Sequence, residues 1–464
     1  MFVGRKTELE ELEQAYEENT FHFAVFYGRR RVGKTTLINK FIENKQAVYF
    51  TAAETTAKEN LEMLSIQIMP TLAPQAPGNP FNSFNDAFDY CFRAALKKRI
   101  VFVIDEYPYL AESDRAVSSL LQAAIDKYRE SSKLFLILCG SSMSFMENQV
   151  LGYKSPLYGR RSSQFKIEPF NYYECARMLP AFAPIDRITL YGICGGIPEY
   201  LSRINNSLSV QQNAEKLFFN PAGRLFEEPS NLLKQELKTP QTYNGIITAI
   251  ASGTSKLNEI ASKAGIETSQ CSNMLATLIS LGIAKKEYPA GTEPSRKTIY
   301  RLADFMFRFW YRFVLPDLSR ISMGHGKQVC SEVFAKSSGF IETYMGPVFE
   351  ECAIQFLWRE MGKGKFNFKT AGRWWGPNPK EKQEEEIDIL AADGNKSALF
   401  GECKWKNSHA GIETLSELIR KSELHPCYTE KKYIIFSKSG FTSQLVKTAA
   451  MRKDVTLVSA AEMK

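Results

Sequence analysis

Histidine is scarce in this chain, with four residues (22, 325, 409 and 425) in 464. So few imidazoles leave little material for a histidine-rich metal centre. The nine cysteines are odd in number and never fall in C-x-x-C spacing. That pattern argues against a disulfide framework and against a zinc ribbon, and leaves reduced, mostly buried thiols. No apolar run approaches the roughly 20 residues needed to cross a bilayer. The longest, Leu134 to Cys139 and Ile100 to Ile104, are strand-sized. The opening MFVGRKTELEEL carries charges where a secretory signal would have an apolar core, so a cytoplasmic protein with no membrane partner is expected. Neither sign of charge dominates: 59 Lys and Arg against 51 Asp and Glu leave a net +8, which permits a polyanionic partner without demonstrating one.

What is present is enough apolar material, 44% of residues, to fill the cores of about three domains at this length. From residue 22 to about 200, strand-like runs (HFAVFYG, QAVYF, RIVFVID, KLFLILCG) alternate with helical stretches such as TTLINKFIE and AVSSLLQAAIDKYRE. This is the signature of a parallel sheet covered by helices, interrupted by a Pro/Asn-rich surface loop, TLAPQAPGNPFNSF. From about 240 to 305 the texture becomes three short helices and two polar strand-like pieces around GTEPSRKT, the outline of a winged helix-turn-helix. From about 330 the order is helix, three strands, helix, strand, helix, strand, a separate α/β unit. No internal repeat is found. The domains expected are 1–225, 235–305 and 330–464.

The segment FAVFYGRRRVGKTTLINKF places Gly28, Gly33, Lys34 and Thr35 in G-x-x-x-x-G-K-[ST] order between an apolar strand and a helix. Backbone N–H groups of such a loop converge on phosphate oxygens, and the helix N-terminus adds positive potential. Lys34 is placed to neutralise β- and γ-phosphates and Thr35 to ligate Mg²⁺. A second apolar strand, IVFVIDEYPYL, ends at Asp105 and Glu106: the first suits the Mg²⁺ shell, the second a general base for the attacking water. Ser141 and Ser142 follow the next strand, either as γ-phosphate sensors or as a plain polar loop. Arg160 and Arg161 in SPLYGRRS are arginine-finger candidates or ordinary surface arginines. In GICGGIPEYL, Gly195, Gly196 and Pro198 either bring backbone close to a nucleotide base or simply end a helix.

Taken together, FVGRKTELEEL, GRRRVGKTTL, VIDEYPYL, the strand running into CGSS, LYGRR and GGIPEYL resemble the archaeal-type ATPase family, a branch related to AAA+ and STAND ATPases. The resemblance covers about residues 1–225 by specific motifs and the remainder more loosely. It implies an α/β P-loop fold with a helical lid that binds and hydrolyses ATP. It also implies Val3, Gly4 and Arg5 near the base and ribose, and Gly28, Arg29, Arg30, Arg31, Val32, Gly33, Lys34, Thr35 and Thr36 around the phosphates.

In SKLNEIASKAGIETSQCSNMLATLISLGIAKKEYP, Leu257, Ile260 and Ala261 form one helical face, Gly265 the turn, and Met274, Leu275, Leu278 and Ile279 a second face. The would-be recognition helix has no Lys or Arg, though Thr268, Ser269, Gln270 and Asn273 can hydrogen-bond. Basic residues fall on the wing instead, at Lys285, Lys286, Arg296 and Lys297. DNA contact and interdomain packing are both open for this module.

The stretch EEEIDILAADGNKSALFGECKWKN reads as a hairpin centred on Asn395, with Asp388 and Glu402 equidistant from it and therefore opposite each other. Alternation puts Glu402 and Lys404 on one face and Cys403 and Trp405 on the other, so two carboxylates and an ammonium share a cleft able to hold Mg²⁺. This resembles the PD-(D/E)XK nuclease superfamily, a restriction-endonuclease-like fold, with Glu350 in PVFEECAIQFLWRE matching its additional helical acid. Ile387 stands where many members carry proline. Lys363, Lys365, Lys369, Arg373, Trp374 and Trp375 interleave basic and aromatic side chains, which suits nucleic-acid backbone and base contacts. The expected function is therefore an ATPase using ATP and Mg²⁺ that couples nucleotide state to nucleic acid, DNA rather than RNA, and to phosphodiester cleavage, with nucleotide-dependent self-association or a protein partner compatible. The alternative is a nucleotide-switched scaffold whose nuclease-like domain binds without cutting.

Overall fold

The computed structural model describes residues 2–72, 81–292 and 297–464. Most of the Pro/Asn-rich loop and Arg296 of the wing lie outside them. The chain divides into two compact units, Met1–Pro169 and Phe170–Lys464. All nine thiols are free and seven are buried. Among the described residues no helix is long and apolar enough to cross a membrane.

The first unit is a five-stranded parallel sheet in the order β2-β3-β4-β1-β5. Its strands are β1 (His22–Tyr27), β2 (Ala47–Thr51), β3 (Ile100–Asp105), β4 (Leu134–Gly140) and β5 (Ser163–Lys166). Every residue of β1, β3 and β4 is buried, as continuous apolar runs require when helices cover both faces of a parallel sheet. The covering helices show the matching periodicity. In Phe84–Ala94, Phe84, Ala87, Phe88, Cys91 and Phe92 are buried, and the Ser83 hydroxyl caps the helix by accepting from Asp86 N at 3.2 Å. Because β4 inserts between β1 and β3, the carboxyl ends of these three strands lie side by side, where α/β sheets place their ligands.

In the second unit, helices Pro240–Ala251, Leu257–Ala264 and Thr268–Ser280 precede an antiparallel pair, β6 (Ala284–Glu287) and β7 (Ile299–Leu302). Gly265 ends the second helix at φ 68°, a left-handed conformation that favours glycine. Ile260, Ala261, Met274, Leu275 and Leu278 are buried, while Thr268, Ser269, Gln270 and Asn273 are exposed. The helix Phe340–Met361 leads into a mixed sheet ordered β12-β11-β10-β9-β8. Its strands are β8 (Thr370–Asn378), β9 (Gln383–Ala392), β10 (Ser397–Lys404), β11 (Glu430–Ser437) and β12 (Val455–Ser459), with Ile412–Ser422 and Ser443–Met451 as the intervening helices. The element order read from the sequence is the order found. Ile387, Leu390, Phe400, Leu415, Leu418, Ile435 and Leu445 fill the core on one face of this sheet.

Gly195 and Gly196 end the helix Pro184–Cys194. A Cβ on Gly196 would lie 2.0 Å from the Phe170 carbonyl oxygen, and the Gly196 carbonyl accepts from Phe170 N at 2.7 Å. Close backbone packing inside the second unit therefore accounts for this glycine. Gly196→Ala is expected to destabilise that unit by about 1–3 kcal/mol, the usual cost of forcing atoms into a packed site. Urea unfolding checks it, and an unchanged midpoint would contradict the packing account.

Candidate functional sites

The loop after β1 is shaped by its glycines. Gly28 has φ 153° and a Cβ there would stand 2.4 Å from the Ile167 carbonyl oxygen, while Gly33 has φ 92°. Arg31 also adopts a positive φ, 71°. Lys34 opens the helix Lys34–Ile42 and its buried ammonium folds back onto the loop, donating to the carbonyls of Gly28 at 2.7 Å and Arg29 at 3.0 Å. In this way the cation satisfies its donors on the loop that carries it.

At the end of β3, the Asp105 carboxylate accepts from Thr35 Oγ1 at 3.1 Å and from the Tyr49 hydroxyl at 2.6 Å on one oxygen, and from Glu106 N at 2.9 Å on the other. Tyr49 was not singled out by the sequence. Burial, then the Asp105 charge, holds its hydroxyl far above the usual phenol range, so it stays a donor. Glu106 sits at φ 51° and precedes a helix, Tyr107–Ser113. Its carboxylate accepts from Ser141 Oγ at 2.9 and 3.2 Å. Lys34, Thr35, Asp105, Glu106 and Ser141 thus gather on the adjoining ends of β1, β3 and β4.

The remaining expected residues are placed as follows. Arg5 is buried at φ 58° and its guanidinium donates to the carbonyls of Val32, at 3.2 Å, and Glu168, clasping the loop from behind. Val3 and Gly4 are partly exposed just ahead of it, and Thr36 is exposed on the helix after Thr35. Arg29 is buried, Val32 is fully buried, and Arg30 donates to the Tyr109 hydroxyl at 3.1 Å. Arg160 forms a two-pronged pair with Asp126, 2.7 and 2.8 Å, and also donates to Pro156 O and Tyr158 O. Pro198 is the first residue of a short helix, Pro198–Leu201, in the second unit.

In the C-terminal sheet the β9–β10 ladder pairs Ala398 with Ala392 through Gly401 with Ile389, symmetric about Asn395. The ladder ends there, one position short of Asp388 and Glu402. On its other side β9 is irregular. Pairing with β8 jumps from Gly372–Leu390 to Trp374–Ile387, so Asp388 and Ile389 together oppose the single residue Arg373. Such a bulge re-aims side chains and breaks strict alternation. Asp388 accepts from Cys403 N at 2.8 Å, and burial, then the charges of Glu402 and Glu350, push its carboxyl up to about 8. Glu402 is buried and bonded to Lys404 at 2.6 Å, with Lys421 at 3.7 Å. Glu350 pairs with Arg373 at 3.0 Å, and burial raises its pKa.

Alternation had placed all three chemical groups in one cleft. Glu402 and Lys404 line a cleft of about 300 Å³, Glu350 lines another cavity, and Asp388, which accepts from Cys403 N, is near enough to Glu402 and Glu350 for their charges to raise its carboxyl. Several of the basic and aromatic residues expected to meet nucleic acid are also engaged internally. Lys363 and Lys365 both clasp Glu360, Lys285 bridges Glu287 and Glu351 at 2.7 and 2.9 Å, and Trp374 packs edge-on against His425. Among the described residues no group of three or more His, Cys, Asp or Glu side chains is placed to hold a metal ion.

Residues 2–204 match a family described as an ATPase domain predominantly from Archaea, and residues 310–415 match archaeal and bacterial proteins of unknown function. An uncharacterized protein of Methanocaldococcus jannaschii is 33% identical over 439 residues, 93% of this chain and 94% of its own. An uncharacterized ATP-binding protein of the same archaeon is 61% identical over 46 residues, 10% of this chain and 78% of its own. The solved Walker-type ATPase of Pyrococcus abyssi is 20% identical and covers 67% of this chain and 96% of its own, with a TM-score of 0.48. The chain belongs to the archaeal-type P-loop ATPase family, its ATPase domain followed by the C-terminal region shared with archaeal and bacterial proteins of unknown function.

Proposed function

We propose that the protein binds and hydrolyses ATP at the β1–β3–β4 strand ends and uses its nucleotide state to control nucleic-acid binding and phosphodiester cleavage by its C-terminal part. The modules proposed are the ATPase with its lid (1–225), a winged helix (235–305) and a nuclease-like domain (330–464). The observation that carries the ATPase half is the gathering of Lys34, Thr35, Asp105 and Glu106. Lys34 exchanges its bonds to Gly28 O and Arg29 O for phosphate oxygens, and Glu106 takes the proton of the attacking water.

The hydroxyl of Thr35 and the carboxylate of Asp105, 3.1 Å apart, are hard oxygen donors of the kind Mg²⁺ takes alongside substrate phosphates and water. In the C-terminal part Asp388 and Glu402 offer the same chemistry. At either place the ion supplies charge to balance developing negative oxygen. The raised pKa of Asp388 supports this assignment, since a carboxyl left short of cationic compensation is one an ion would stabilise in its charged form.

A second reading has its own support. Glu402 is already paired with Lys404, and Glu350 with Arg373, an arrangement that also suits a domain that binds without cutting. Incubation of labelled DNA and RNA with Mg²⁺, with and without ATP, separates the two. Cleavage by the intact protein is expected to fall about 10²–10⁴-fold in Asp388→Ala and in Lys404→Ala, the range set by loss of positioned acid–base groups and charge stabilisation. No cleavage by the intact protein, or cleavage unaltered in both variants, favours the binding-only reading.

A further inference from the structure

A large cavity lies in the second unit, between the β6–β7 pair and the edge strand β8, where Ala290 N donates to Arg373 O at 2.8 Å. Its volume is about 1310 Å³, above the ~300–1,000 Å³ of sites that take a single small molecule. Most charges on its wall are already matched: Lys285 and Arg301 by Glu287, and Arg373 by Glu350. Three lining cations, Lys286, Arg308 and Lys369, have no carboxylate within 4.0 Å among the described residues. Arg308 is the least exposed of them, its guanidinium held 4.5 Å from the centre of the Tyr344 ring. The same wall carries aromatic surface left open to solvent, with Tyr288 45% and Trp358 41% exposed and Trp375 half-buried beside them.

Uncompensated cations interleaved with open aromatic faces are what a flexible polyanion with planar rings requires. We infer that this cavity binds a single strand of nucleic acid, its phosphates held by Arg308, Lys286 and Lys369 and its bases stacked on Tyr288, Trp358 and Trp375. A duplex keeps its bases stacked on one another and offers such rings only its backbone, so the aromatic wall selects unpaired nucleotides. This inference rests on the nucleic-acid reading above and gives it a form and an address.

The test is fluorescence anisotropy of the full chain with a labelled oligothymidine of about 12 nucleotides, within the range of known single-strand sites, and with a duplex of equal length. Both are measured in EDTA so that cleavage plays no part. The oligothymidine is expected to bind more tightly than the duplex. Arg308→Ala and Trp358→Ala each weaken it about tenfold, in line with ~1–3 kcal/mol per stacked base, and Arg308→Ala lowers the salt slope by about 0.7. Trp358→Phe keeps most of the affinity, and Tyr153→Ala, 75% exposed in the first unit, changes nothing. Thermal melting identifies any variant that fails to fold, in which case Arg308→Lys, expected to keep the salt slope, and Trp358→Phe carry the test. Duplex binding without single-strand binding overturns the cavity assignment and leaves the nucleic-acid reading standing. Binding of neither overturns both, and equal affinity of intact protein, Arg308→Ala and Trp358→Ala overturns the cavity assignment alone.

Discussion

Lys34→Ala is expected to lower ATP turnover by about 10²–10³-fold, the cost of removing a preorganised charge from an oxygen that becomes more negative in the transition state. Its ammonium is buried and holds its donors on Gly28 O and Arg29 O, so reaching a phosphate costs little rearrangement. Charged hydrogen bonds are worth about 1.5–3 kcal/mol each, so ATP affinity should fall as well, by one to two orders of magnitude. Glu106→Gln should behave differently. The amide keeps the shape and can still meet Ser141 Oγ but cannot take a proton, so turnover falls about 10²–10⁴-fold while affinity holds. Equilibrium binding of a fluorescent ATP analogue beside phosphate release distinguishes the two. Glu106→Gln turning over at the intact rate would remove Glu106 from the base role, and Lys34→Ala binding as tightly as the intact protein would remove Lys34 from the phosphates.

The strand ends that build this site were legible because each is announced locally. A buried parallel strand has to be apolar along its whole length, so the abrupt change to GRRRVGKT after Tyr27, to DE after Ile104 and to SS after Gly140 marks where it leaves the sheet. Tyr49 was not legible in this way. It reaches Asp105 because β2 pairs with β3, and neighbourhood between strands far apart in sequence follows from topology. The same distinction runs through the C-terminal part. The symmetry of the hairpin about Asn395 gave the β9–β10 register directly, since pairing in a hairpin is fixed by its own turn. The bulge opposite Arg373 depends on a third strand, β8, and no local pattern in the hairpin announces it. Lys285, Lys363 and Lys365 looked available because a basic run does not reveal that Glu351 and Glu360 stand beside it in the fold.

Two histidines make the chain acid-sensitive, and the sign follows from their surroundings. His22 stacks on Phe135 with ring centres 4.7 Å apart and shares a 2.9 Å hydrogen bond with Ser163 Oγ. His425 is enclosed by Trp374, Phe400 and Tyr428. Burial lowers each to about 4 from the ordinary 6.5. Between those values the unfolded chain binds protons that the folded chain refuses, so stability is lost as pH falls from about 6.5 to about 4. At pH 4.5 each histidine costs about 2–3 kcal/mol relative to pH 7, from 1.36 kcal/mol per pKa unit. The raised carboxyl of Asp388 works in the opposite direction, since its folded form holds a proton to about 8, so the histidine contribution has to be isolated by substitution. His22→Gln retains a donor for Ser163, and His425→Phe retains the ring against Trp374. Melting of the first unit should drop between pH 7 and 4.5, whereas in the second unit Asp388 offsets His425. On going from pH 7 to 4.5 each variant should gain several degrees over the intact protein in its own unit, given roughly 2–4 °C per kcal/mol for domains of 150–250 residues. Because His22 sits at the start of β1, whose other end becomes the phosphate-binding loop, acid unfolding of the first unit should release bound ATP over the same pH interval. Variants that melt in parallel with the intact protein from pH 7 to 4.5 would show that these imidazoles are protonated in the folded state.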